Sequence, residues 1–132
     1  KVLQFAFDSR EPSDYLPHTY PRNCVCYTGT HDNTTAAGWY AEASGPDVQM
    51  ARQYLGVGEG EGLAWAMIRG GMSSVADLFI AQMQDYLGLG AEARMNQPGT
   101  TAGNWRWRMA PGAASPALAQ RIARYTWMYG RC

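Results

Sequence analysis

The chain has 132 residues, of which 46% are hydrophobic and 17% are charged, so it can build one globular core but not two full domains. Its eleven basic and eleven acidic side chains give a formal charge of zero, which argues against nucleic acid and anionic membranes as partners. The longest apolar run, residues 62–68, is far shorter than the ~20 residues that a bilayer span needs, so we expect no membrane-spanning segment and treat residues 1–132 as a single segment.

Three apolar runs are predicted to form β-strands. They are Val2–Phe7, Val25–Thr30 and Val75–Met83, which are rich in β-branched and aromatic residues and are followed by polar or turn-forming residues. The connections between them are long enough to contain helices, which predicts adjacent, parallel strands joined by right-handed crossovers. Because the first run starts directly after Lys1, without a Met, we expect the chain to enter the middle of a larger fold.

Helical patterns lie between and after these runs. Four helices are predicted. The first is capped by Thr34 or Thr35 and runs through Glu42, and the second begins after Pro46 and stops at Gly56. The third covers Leu63 to Met72, and the fourth runs from Pro116 to about Tyr129 with Ser115 as its cap. The third helix is apolar on nearly every side, so we expect it to be buried.

Strands that alternate with helices predict an α/β fold with a parallel sheet. Three parallel strands do not close a barrel, and their faces and neighbours need to be covered. The pattern therefore indicates part of an α/β barrel, a fold in which the active groups lie at the carboxyl ends of the strands.

An ionisable pair, His31 and Asp32, follows the second predicted strand in the run Gly29-Thr30-His31-Asp32-Asn33. In an α/β barrel this position belongs to the active site. The alternative is structural: the aspartate would cap the next helix, and the histidine would bind the backbone. Asn96, in a loop after the third strand, is expected to face the same barrel mouth as Asp32.

Two other motifs indicate no metal, cofactor or nucleotide site. Cys24 and Cys26 share one strand face, Cys132 is terminal, and no ligand spacing links them to a histidine, so no metal is expected. Cysteines in this arrangement favour a reducing, cytoplasmic location. The glycine-rich run 56–62 lacks lysine and carries two carboxylates that would repel phosphate, so it is predicted to be a turn.

Tryptophan and arginine alternate in the run Trp105-Arg106-Trp107-Arg108. The rings could stack on sugars or bases, although the neutral charge of the chain weighs against nucleic acid. Alternatively, the tryptophans fill a hydrophobic gap while the arginines pair with acids.

Several motifs in one order closely resemble the C-terminal part of the 4-α-glucanotransferases, the amylomaltase or disproportionating enzymes of glycoside hydrolase family 77. The segments that carry the resemblance are Lys1–Phe7, Tyr15–Asn23, Tyr27–Asn33 with Thr35 and Gly38-Trp39, Met72–Asp77, Gln84–Gly90, Arg94–Thr100 and Gly103–Arg108. Together they cover essentially the whole chain.

This resemblance implies a (β/α)8 TIM barrel, of which the chain would hold the last three βα units. The family transfers α-1,4-glucan segments between maltooligosaccharides by retaining double displacement, with its nucleophile and acid/base on earlier strands. Asp32 then matches the third carboxylate, which stabilises the transition state, while His31 and Asn96 match substrate-binding residues. The family usually carries an acidic residue where this chain has Thr34, which concerns only the local loop geometry.

Two other functions stay open from the sequence. One is a non-catalytic carbohydrate-binding module that uses Trp39, Trp105 and Trp107, and the other is a structural α/β segment without a site of its own. If Val2–Phe7 forms an unpaired edge strand, self-association is expected.

Overall fold

The computed structural model describes all 132 residues, Lys1–Cys132. In chain order the elements are β1 (Val25–Tyr27), α1 (Ala36–Glu42), α2 (Gly45–Leu55), α3 (Leu63–Met72), β2 (Leu78–Ile80), α4 (Met83–Tyr86) and α5 (Pro116–Met128), with 3-10 turns at Leu3–Phe5, Pro17–Thr19 and Ala91–Ala93. None of the helices has the length and apolar character needed to cross a bilayer.

The two strands form a parallel pair, with Val25 opposite Leu78 and Tyr27 opposite Ile80. This confirms the predicted parallel pairing of the second and third apolar runs. Each strand is three residues long, which is shorter than predicted. Their carboxyl ends therefore meet at one edge of the sheet, as parallel pairing requires.

The prediction that Val2–Phe7 forms a strand is wrong. Val2 makes a single parallel bridge to Tyr27, and the chain then enters the 3-10 turn. The turn buries Leu3 and Gln4 side by side, and the Gln4 amide donates to the Thr34 carbonyl oxygen at 2.8 Å. Adjacent buried residues do not fit the alternating faces of a strand, so the apolar run mimics a strand without forming one.

Helix α3 is the central helix, as predicted: nine of its ten residues are buried. It contacts α1, α2, α4 and α5. The absence of a side chain at Gly71 lets the ring of Phe79, in β2, lie directly against the helix. This close contact fixes the distance between α3 and the sheet.

The helix starts follow the predicted caps. The side chains of Thr35, Ser44 and Ser115 accept hydrogen bonds from the first turns of α1, α2 and α5, which satisfies amide groups that a helix end leaves unpaired. Helix α2 begins slightly earlier than predicted, because Ser44 rather than Pro46 marks its start. The segment after the third predicted strand, which carries Asn96, contains most of α4 and one 3-10 turn.

The core has two parts on opposite sides of α3. The larger part joins the N-terminal segment, α1 and α2, and the smaller part lies between α3 and α5. In the smaller part the Trp65 ring packs against Tyr125, with centroids 5.3 Å apart, and the Arg121 guanidinium lies 3.6 Å from the Trp65 ring centroid. Both parts support α3, and the exposed residues His31 and Asp32, which follow β1, lie outside them.

Candidate functional site

A tight polar turn follows β1. The Asn33 side-chain oxygen accepts from the Thr30 amide at 2.8 Å and from the Thr30 hydroxyl at 2.9 Å, while the Asn33 amide donates to the Thr30 carbonyl at 3.0 Å. These bonds are local, so the turn forms from residues 30–33 themselves. They present His31 and Asp32 at its tip.

The base of this turn is held from both sides by glutamines. Gln82, just after β2, donates to the Thr30 carbonyl at 2.8 Å, and Gln4 holds the Thr34 carbonyl. A Cβ added at Gly29 would lie 2.6 Å from the Gln4 Nε2 atom and 2.9 Å from the Gln82 Nε2 atom. Glycine at this position therefore allows both amides to approach the backbone.

The three site residues predicted from the sequence lie together. The Asn96 amide nitrogen donates to Asp32 Oδ1 at 2.7 Å, and His31 Nε2 lies 3.3 Å from the same oxygen. The side chains of His31 and Asp32 are 58% and 50% exposed, so both can reach a ligand. Asp32 Oδ2 makes no hydrogen bond within the chain, and it leaves one carboxylate oxygen available to polar hydrogens such as sugar hydroxyls.

Arg94 also belongs to this site, although the sequence analysis assigned it no role. Its Nη2 donates to the Asp32 carbonyl at 2.6 Å and its Nε donates to the Asn96 carbonyl at 2.8 Å. The main-chain N–H of Asn96 in turn donates to the His31 carbonyl oxygen at 3.1 Å. The only sequence signal was the position of Arg94, two residues before Asn96 in the same motif.

Trp105 lies beside the His31 ring, with centroids 5.2 Å apart and planes inclined by 38°. It is the one non-glycine residue with positive φ, at 61°, and its amide donates to the Met95 carbonyl at 2.6 Å. The residue is 52% exposed. Of the two predicted roles for this tryptophan, an exposed ring at the site fits a ligand contact better than a filled gap.

The other two tryptophans do not share this surface position. Trp39 packs against the main core, where its ring centroid lies 5.9 Å from that of Phe7. Trp107 is half-buried, and its carbonyl accepts from Arg108 at 2.9 Å. The predicted pairing of Arg106 and Arg108 with acids is not found.

Asp85 supports the site from below and was not predicted to do so. Its carboxylate is fully buried, accepting from the Thr28 hydroxyl at 2.6 Å and from the Ala36 amide at 2.7 Å. Burial raises the pKa of this carboxyl group, against the lowering effect of the two hydrogen bonds. Asp85 therefore links the end of β1 to the start of α1, and it is closed off from any ligand.

An open cleft of about 360 Å³ lies between the polar turn and the end of β2. Its wall includes Gly29, Thr30, His31 and Gln82. The imidazole of His31 lines this cleft, and Asp32, Asn96 and Trp105 contact His31 outside the lining of the cleft. This combination suits a polyhydroxylated ligand, whose hydroxyls need donors and acceptors and whose ring faces pack on aromatic groups.

A larger cavity, of about 670 Å³, lies away from this site between the open edge of β2 and α5. Its lining includes Met72, Phe79, Tyr129 and Arg131. It carries no exposed cluster of acidic or basic groups beyond the Arg22–Asp77 ion pair at 3.1 Å, so it does not compete as a catalytic site.

Comparison with known proteins agrees with this geometry. The sequence profile of the 4-alpha-glucanotransferase family (Glyco_hydro_77) matches residues 1–114. The chain is 48% identical to the 4-alpha-glucanotransferase of Clostridium butyricum, covering 100% of this chain and 27% of that protein, and 49% identical to that of Synechocystis, covering 99% and 26%.

The fold agrees as well. The structure of amylomaltase from Streptococcus agalactiae in complex with acarbose superposes with a TM-score of 0.94 at 31% identity, covering 98% of this chain and 26% of that one. The chain spans about a quarter of the length of the relatives it matches. With most of its length matched by the family profile and its fold shared with an amylomaltase, the chain belongs to the 4-alpha-glucanotransferase family, glycoside hydrolase family 77.

Proposed function

We propose that this chain is the C-terminal part of a 4-α-glucanotransferase, in which residues 1–132 supply the C-terminal portion of a (β/α)8 barrel. β1 and β2 are two of its last three strands, and the parallel bridge from Val2 to Tyr27 marks the position of the third. The parallel pair β1–β2 and the polar residues at its carboxyl end support this assignment. The outer edge of β2 has no neighbouring strand, and on one face of β2 the residues Leu78 and Ile80 are 51% and 43% exposed. In a closed barrel each strand has a neighbour on both sides, so this edge fits the missing remainder of the barrel.

The proposed reaction is the transfer of α-1,4-glucan segments between maltooligosaccharides with retention of configuration. Retaining transfer needs one carboxylate as nucleophile and one carboxylic acid to move the proton, about 5–5.5 Å apart. Asp32 is the only carboxylate at the site, because Asp85 is buried and Asp77 pairs with Arg22 before β2. The nucleophile and the acid/base therefore come from the part of the barrel outside this chain, and no cofactor is required.

The observation that carries the proposal is the arrangement at Asp32. One carboxylate oxygen accepts a hydrogen bond from Asn96 and lies 3.3 Å from His31 Nε2, and the other has no partner in the chain. A fixed carboxylate can accept hydrogen bonds from sugar hydroxyls, and these bonds strengthen as the sugar becomes oxocarbenium-like. We assign Asp32 to transition-state stabilisation, and His31 and Asn96 to binding the same sugar.

A binding module without catalysis is the second candidate, and one observation favours it: the exposed ring of Trp105 beside His31. The acarbose complex of the structural neighbour is compatible with either candidate. The position of Trp39 argues against the binding module, since its ring packs against the core and leaves no continuous aromatic surface.

The test is Asp32→Asn in the full-length enzyme, assayed by disproportionation of maltotriose. The change keeps the size of the side chain and removes its charge, so kcat should fall on the order of 10²–10³-fold. Asp77→Asn is the matched control, because it removes an exposed carboxylate whose surface ion pair contributes little. An Asp32→Asn enzyme with the parent rate would refute the assignment. If the parent protein shows no disproportionation and Asp32→Asn weakens the binding of maltotriose, the binding module is favoured.

A further inference from the structure

Two loops that are 62 residues apart in sequence meet at the site through very few bonds. The main-chain N–H of Asn96 donates to the His31 carbonyl oxygen at 3.1 Å, and the side-chain nitrogen of Asn96 donates to the Asp32 carboxylate at 2.7 Å. The only other hydrogen bond between them comes from Arg94, to the Asp32 carbonyl at 2.6 Å. The relative position of the loops therefore depends strongly on Arg94.

The Arg94 guanidinium binds two carbonyl oxygens with one edge. Nε takes the Asn96 carbonyl at 2.8 Å while Nη2 takes the Asp32 carbonyl. Nε–H and one Nη2–H point the same way in the planar group, so this fork fixes the two carbonyl oxygens side by side. Two carbonyl dipoles held in parallel repel each other unless a cation lies between them and stabilises both.

This fork sets the distance that the Asn96 side chain must span to reach Asp32. Both carbonyls belong to the same residues whose side chains form the 2.7 Å bond. A lysine at position 94 would keep the charge but, as a single ammonium, could not reproduce the planar fork. The loops would then be free to shift by a fraction of an ångström or more.

We propose that Arg94 is a positioning residue for Asp32: it holds the two loops in the register at which Asn96 orients the carboxylate. The inference rests on the proposed function of Asp32. Arg94 itself uses Nε and Nη2 on main-chain oxygens and acts through Asp32, not on the sugar. Its effect should fall on kcat, because a carboxylate that is displaced by about 1 Å stabilises the transition state less while most of the glucan still binds.

The test is a double-mutant cycle in the full-length enzyme with Arg94→Lys, Asp32→Asn and the double variant. We expect Arg94→Lys to lower kcat about 10–100-fold with KM changed by less than about twofold. In the Asp32→Asn background, Arg94→Lys should lower kcat by a further factor of less than about two, because the effects of residues that act through one another are not additive. Arg52→Lys is the control, since that arginine is exposed on α2 and makes no side-chain hydrogen bond.

A structural role would lower thermal stability and multiply the loss in both backgrounds equally, and that result would overturn the inference. So would an Arg94→Lys enzyme with the parent kcat. If Asp32→Asn keeps the parent rate, the proposed function itself fails, whatever Arg94 does. Should Arg94→Lys fold poorly, Arg94→Ala with added guanidinium ion replaces it: recovery of kcat by guanidinium and not by ammonium supports the fork, and equal effects of the two cations contradict it.

Discussion

The carboxylate of Asp85 accepts a hydrogen bond from the Thr28 hydroxyl at 2.6 Å, at the point where β1 gives way to the polar turn. The second carboxylate oxygen accepts from the first amide of α1, at Ala36. One buried acid thus ties together the end of β1, the start of α1 and its own helix α4. Since His31 and Asp32 follow Thr28 after only two residues, the position of the site depends on this acid.

Asp85→Ala should destabilise the full-length protein by about 2–4 kcal/mol, because it leaves the Thr28 hydroxyl and the Ala36 amide buried without partners. Asp85→Asn should cost much less, since the amide oxygen still accepts from Ala36 and the amide nitrogen can donate to Thr28. The measurement is thermal unfolding of the two variants side by side. Equal melting temperatures for Ala and Asn would show that the hydrogen bonds contribute nothing.

A comparison of the parent with Asp85→Asn tests how the stability contributed by Asp85 depends on pH. Burial raises the pKa of this carboxyl in the folded protein above its unfolded value, so the folded state binds the proton more tightly. Its contribution to stability is then full below the unfolded pKa and is lost as the pH rises through the folded pKa. The parent should therefore lose melting temperature relative to Asp85→Asn over that range, and a gain with rising pH would contradict the raised pKa.

Trp105→Gly should separate stability from activity. A tryptophan at a φ of 61° stores backbone strain of about 1 kcal/mol, which glycine relieves. The melting temperature should stay at or slightly above that of the parent, while activity on maltotriose falls because His31 loses the ring beside it. Trp105→Phe is the control, since it keeps an aromatic ring and should retain most of the activity. Full activity in the glycine variant would show that the ring does not affect His31.

The parts of the site that could be predicted from the sequence are those with local or topological signals. His31 and Asp32 stand out because polar residues abruptly follow an apolar strand. Asn96 could be placed near them because the carboxyl ends of parallel strands share one edge. In the structure the side-chain nitrogen of Asn96 lies 2.7 Å from Asp32 Oδ1. Their roles in binding and catalysis stay a prediction.

The parts that could not be predicted depend on partners that a sequence does not mark. Arg94 binds main-chain carbonyl oxygens, and Asp85 binds an amide and a hydroxyl. The failed strand at Val2–Phe7 has the same origin: Gln4 turns inward to reach a carbonyl 30 residues away, and no local pattern shows that contact. Residue types and spacing identify apolar faces, and they do not identify which backbone groups need a partner.

The side chain of Arg131 binds the turn between α3 and β2, and we expect it to stabilise that turn. Its guanidinium donates to the carbonyls of Met72 at 2.9 Å, Ser74 at 2.7 Å and Ala76 at 2.5 Å, which lie just at and after the end of the helix. Arg131→Lys can satisfy only part of this set, so we expect a local destabilisation of about 1–3 kcal/mol. Amide hydrogen exchange of residues 72–80 in the full-length protein should accelerate, with no change for Arg52→Lys. Unchanged exchange in that segment would show that the anchor is dispensable.

The 132-residue chain on its own should show no glucanotransferase activity and only weak binding of maltooligosaccharides. Asp32 is the one carboxylate at the site, and with the nucleophile and acid/base absent only binding contributions to the rate remain. Glucose and longer glucans formed from maltotriose in proportion to the chain concentration would show that the catalytic groups lie within these residues.

The 132-residue chain should also self-associate, through β2 rather than through the N-terminal run, because the outer edge of β2 has no neighbouring strand and the residues Leu78 and Ile80 next to it are exposed. Ile80→Lys places a charge next to that edge and should shift the species seen by concentration-dependent size-exclusion chromatography toward monomer. Phe5→Lys, at an exposed position in the 3-10 turn, should leave the distribution unchanged; the opposite pattern would place the interface at the N-terminus.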